Sequence, residues 1–63
     1  MMPAQPLFQV HVTSKNTQIP IGPKFSTKAA AEQLAYMTNK AIVGGKVHGW
    51  ADATVVTLIP VEH

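Results

Sequence analysis

The sequence predicts an α+β domain: a β-hairpin, one α-helix, then one or two further strands (a ββαβ-type order), with an antiparallel sheet carrying the helix on one face. Three observations predict it. Phe8, Val10 and Val12 alternate with Gln9, His11 and Thr13 near the start of the chain, the period of two of a half-buried strand. Between Thr27 and Val43 there is neither proline nor glycine, and apolar residues recur there at helical spacing. Beyond Lys46 the chain returns to β-formers, above all in Thr54 to Ile59.

Each element has a local reason. The first strand is expected from Leu7 to Thr13. Ser14-Lys15-Asn16-Thr17 follows as a turn, since asparagine tolerates positive φ. Gln18 to Ile21 resumes the alternation with Ile19 and Ile21 on one face, and Pro20, which cannot donate to a ladder, makes this second strand an edge or a short one. Gly22-Pro23 is expected to end it. Ser26 or Thr27 can cap the helix by accepting from its free first-turn amides, and Phe25 with Ala30 has staple spacing. Ala30, Leu34, Met37 and Ala41, flanked by Ala31, Ala35 and Ile42, form the apolar stripe, while Asn39 falls away from it. Gly44-Gly45 provides the left-handed exit.

The segment from Lys46 to Val61 admits two readings. It is one bent strand with a bulge near Gly49 or, the preferred reading, a short strand, a turn at Ala51-Asp52 and a strand from Thr54 to Ile59. Val55 and Ile59 point one way, Val56 and Leu58 the other, so both faces of the last strand are apolar. A helix returning across the sheet puts that strand antiparallel beside the first, in the order 2-1-3. One helix covers one face only, and a second copy of the chain is the simplest cover for the other.

Size sharpens that expectation. Residues 7–63 make one domain, preceded by residues 1–6 as a flexible N-terminus. In a chain of 63 residues a single core seldom supplies more than about 3–5 kcal/mol. Cysteine is absent, which excludes disulfides and Cys-based zinc sites. Self-association is then the stabiliser to expect. Hydrophobic residues at 46% against 13% charged exclude a disordered tail. The apolar run Val55 to Val61, broken by Thr57 and Pro60, is too short to cross a bilayer. Met1 to Pro6 lacks the charged and apolar regions of a signal peptide, so a cytoplasmic protein with no membrane partner is expected.

A pI of about 9.3 permits nucleic-acid binding without predicting it. The net charge is only +2, and every cation is a lysine, whereas arginine is the residue suited to bidentate phosphate and guanine contacts. The candidate anion or nucleic-acid residues are Lys24, Ser26, Thr27 and Lys28 around the helix start, where free amides and the helix dipole favour anions, with Lys15 at the hairpin tip and Lys46. His11, His48 and His63 lack the spacing of a zinc site. His11 is expected on the exposed sheet face, and His48 shares a face with Trp50 if both lie on a strand. Glu32, Asp52 and Glu62 are scattered, and no Gly-rich elbow aims a nucleophile. No catalytic residue, metal or cofactor is expected.

Phe25-Ser26-Thr27-Lys28-Ala29-Ala30-Ala31-Glu32-Gln33-Leu34-Ala35 resembles, through an F-x-T/S-x-x-x-A-E pattern, the hairpin-to-helix junction of arm-type DNA-binding domains of phage integrases and of sporulation-related, peptidoglycan-binding domains. Arm-type domains place three strands before their helix, where this chain places two, and sporulation-related domains carry a second helix for which there is no room here. Capping and helix propensity account for the pattern itself.

The expected function is a non-catalytic interaction or regulatory module, homodimeric through Trp50, Val56 and Leu58. The alternative is a small nucleic-acid-binding protein using the lysines.

Overall fold

The computed structural model describes residues 5–59. Strand β1 (Leu7–Ser14) and strand β2 (Thr17–Phe25) form a hairpin, helix α1 (Lys28–Val43) follows, and strand β3 (Trp50–Leu58) closes the sheet. The three strands lie in the order β2-β1-β3 and both pairings are antiparallel, as the alternation and the chain direction predicted. Residues 1–4 of the expected flexible N-terminus and residues 60–63 of the last segment, with His63, lie outside the described residues.

Three local features differ from the sequence expectation. At the hairpin tip Lys15, not Asn16, takes the positive φ of 49°. Strand β2 does not end at Gly22-Pro23 but runs on to Phe25. Phe8 pairs with Phe25 and Val10 with Ile21, so Gly22, Pro23 and Lys24 stand opposite Gln9 alone. Gly22 makes that bulge by adopting a φ of 70°, a region costing a side-chain-bearing residue roughly 1–2 kcal/mol. The Gln9 side-chain amide donates to the Gly22 carbonyl at 3.3 Å.

The last segment is the third difference. It is one bent strand and not a strand, turn and strand. Val12 pairs with Ala53, but Ser14 pairs with Trp50, so Ala51 and Asp52 together oppose Thr13. The extra residue is a β-bulge, and it lies inside the strand, not at Gly49. Its consequence is a change of face: three residues before Ala53, Trp50 would otherwise point away from the helix, and the bulge turns it back.

Helix α1 begins where capping chemistry placed it. Thr27, with extended φ and ψ of −125° and 144°, is the N-cap, and its hydroxyl accepts from the Ala30 amide at 3.3 Å. At the other end the Lys46 amide donates to the Ala41 carbonyl (3.0 Å) and the Gly45 amide to the Ile42 carbonyl (3.1 Å), with Gly45 at φ 74°. This is the Schellman closure, in which the left-handed residue is the second glycine.

The core is small. Val10, Val12, Ala31, Ala35 and Ala53 are its buried members, and Phe8, Ile21, Phe25, Leu34, Trp50 and Val55 pack around them. The buried helix stripe therefore runs through Ala31 and Ala35, rotated toward Thr38 and Ile42 from the expected line, and Met37 is 60% exposed. Alanine on both the helix and β3 lets the two backbones approach closely, which brings Asn39 within reach of β3. Leu34 meanwhile lies over β2: a methyl group added at Gly22 would meet its Cδ2 at 2.8 Å. The helix thus crosses from β2 near its start to β3 near its end.

Candidate functional site

The sheet has two unlike faces. On the helix side the cross-strand rows are Phe25–Phe8–Thr57, Ile21–Val10–Val55, Ile19–Val12–Ala53 and Ser14–Trp50. The opposite face carries Leu7–Leu58, Gln9–Val56, Pro20–His11–Thr54 and Gln18–Thr13. No other element of the described residues packs on it. Leu7, Val56 and Leu58 form an apolar strip along this open face and are only half-buried.

The residues expected at a dimer or partner interface are therefore divided. Val56 and Leu58 share the open face. Trp50 packs against the core on the other side, because of the bulge. His48 lies in the bend before β3, exposed, and does not share a strand face with Trp50. His11 is on the open face but half-buried, not exposed, and its Nε2 is shielded with no hydrogen-bond partner among the described residues. A shielded polar atom left unpaired costs about 1–3 kcal/mol. Among the described residues no group of His, Asp or Glu side chains could hold a metal ion.

The lysine set is divided as well. Lys24, Ser26, Thr27 and Lys28 are all exposed at the β2–α1 junction. Lys15 sits at the hairpin tip and Lys46 just past the helix, at the opposite end of the sheet. Phe8 to Ser14 separates the two groups by about 20 Å of strand. The Thr27 hydroxyl is already engaged in capping. Lys40 lies over the Tyr36 ring, 5.5 Å from its centroid.

Asn39 is the residue that sequence reasoning left on the solvent side. Its side-chain amide donates to the Ala53 carbonyl and its Oδ1 accepts from the Ala53 amide, both at 2.9 Å. Both backbone groups of Ala53 consequently point away from β1, over the outer edge of β3. Because these directions alternate along an antiparallel ladder, Val55 and Thr57 also present their N–H and C=O outward. The same alternation carried across β1 turns Pro20 outward on β2, where its missing N–H interrupts no ladder. Beside Asn39, Tyr36, Lys40, Val43 and Gly44 line a shallow, mostly apolar depression of ≈ 370 Å³. Tyr36 is 64% exposed and Val43 89%.

The chain matches no family model, no curated protein and no solved structure. No helix among the described residues is long and apolar enough to cross a membrane.

Proposed function

We propose that this protein is a small non-catalytic interaction module that works as a homodimer in the cytoplasm, its sheet joining that of a second copy and its remaining surface holding a partner. The observation that supports this reading is the open sheet face with its strip of Leu7, Val56 and Leu58, set against a core of two valines and three alanines. A core of that size is a weak source of stability for a lone domain. Covering that strip is worth about 25 cal/mol per Å², which favours a partner on the open face, while the small core favours the joining of the two sheets. The absence of cysteine fits a reducing compartment.

Size-exclusion chromatography with light scattering, across a tenfold concentration range, tests the reading. A dimer mass at all but the lowest concentrations is expected. A monomer mass throughout would overturn it. The nucleic-acid alternative draws less support, because the lysines are divided between two ends of the sheet. It predicts a gel shift at low salt that weakens steeply as salt rises, and no shift at low salt removes it.

A further inference from the structure

We infer that the second copy joins along the outer edge of β3, antiparallel and two-fold about Val56, to make one continuous six-stranded sheet. This rests on the homodimer reading and says which surface carries it. The outward N–H and C=O groups of Val55 and Thr57 are spaced so that Val55 of one copy faces Thr57 of the other. Each such pair exchanges two hydrogen bonds, and the two-fold axis supplies both pairs.

The edge is suited to this and its counterpart is not. Natural proteins protect free edges with proline, charge or bulges. The β2 edge has Pro20, Pro23, Lys24 and the Gly22 bulge, whereas Thr54 to Ile59 carries no proline, glycine or charge. Where β3 is protected, at Ala53, the protecting group is the Asn39 amide, which itself occupies the place of a strand. That amide also limits the ladder: residues beyond Thr57 cannot pair with the partner's Ala53.

Side chains at the ladder's end provide a second, independent match. With Val56 on the axis, Ile59 of one copy arrives beside Ala53 of the other. Continued alternation puts Ile59 on the helix side of the sheet, where it is 77% exposed. It is thereby brought to the depression lined by Tyr36, Asn39 and Val43, which lies next to Ala53. The contact covers Ile59 of one copy with Tyr36 and Val43 of the other, otherwise exposed, and the two-fold axis repeats it. The apolar strips of the two open faces become neighbours and leave one broad surface for a partner.

Four variants test the arrangement by light scattering and by mild oxidation. Thr57→Pro removes an outward donor without touching the internal ladder, and it should shift the dimer to monomer while thermal unfolding of the monomer remains cooperative. Ile59→Asp, an exposed position, should raise the dimer dissociation constant at least tenfold. Val56→Cys should give a disulfide-linked dimer, since directly opposed residues of a non-hydrogen-bonded pair have suitable spacing, whereas Leu58→Cys, opposite Thr54 of the other copy, should not. A wild-type dimer that persists in both T57P and I59D, with no preferential linking at residue 56, would overturn the edge assignment and leave the homodimer reading standing. A wild-type monomer would overturn both.

Discussion

The two edges of the sheet are protected in different ways. On β2 the protection is written into the residues of the strand itself: Pro20 lacks a donor, and Gly22 takes a φ of 70° to open a bulge before Pro23. On β3 the bulge and Asp52 lie before Ala53, and from Ala53 onward the protection comes from elsewhere in the chain, as the Asn39 side chain bonds both backbone groups of Ala53. Covalent geometry protects an edge whatever the rest of the fold does. A tertiary clasp protects only the residue it touches, and the neighbouring groups of Val55 and Thr57 have no partner strand among the described residues.

Changes at each edge would break or sharpen this contrast. The largest effect is expected at Gly22. Gly22→Ala places a methyl group at positive φ and 2.8 Å from the Leu34 side chain. Left-handed strain, with a smaller share for moving the flexible end of the Leu34 side chain aside, should cost about 2–3 kcal/mol, much of the stability a chain of this size commands, and urea unfolding would measure it. Asn39→Ala should come next. It removes two hydrogen bonds from a half-buried backbone and should cost about 2 kcal/mol. It should also expose the Ala53 amide to exchange and favour a longer intermolecular ladder.

Pro20→Thr should leave unfolding within about 1 kcal/mol of wild type, because the restored N–H faces outward. Its effect should appear in association instead, as concentration-dependent species larger than a dimer once the second edge is open. The smallest effect is expected from deleting Asp52. Shortening the bulge by one residue makes the strand regular and keeps Trp50 on the helix side, so tryptophan emission should stay where it is. A red-shifted emission would mean that Trp50 had turned to the open face and that the bulge had been misassigned.

The same contrast explains what could be read from sequence. Periodicity exposed β1 and the helix, because Val10, Val12 and the alanine-rich stretch follow their element's own repeat, and the chain direction through the helix then gave the order of strands. Pro20 announced an edge strand for the same local reason. An irregularity at Ala51-Asp52 was legible, but as a turn; only pairing with β1 shows that two residues oppose one and that the strand continues through them. Because of that bulge Trp50, expected at the interface with Val56 and Leu58, lies on the helix side. Asn39 was missed because a polar residue beside the apolar stripe reads as solvent-facing, and its partner is a backbone fourteen residues away. The candidate lysines could each be found, but their division between two ends of the sheet depends on the hairpin register and on where the helix stops.

The most direct measurement is amide hydrogen exchange followed residue by residue on the wild-type protein at dimer concentrations. Protection at Ala53, Val55 and Thr57 together is predicted, with Val55 and Thr57 losing it on dilution to monomer and Ala53 keeping it through Asn39. Fast exchange at Val55 and Thr57 in a protein shown to be dimeric would contradict the account.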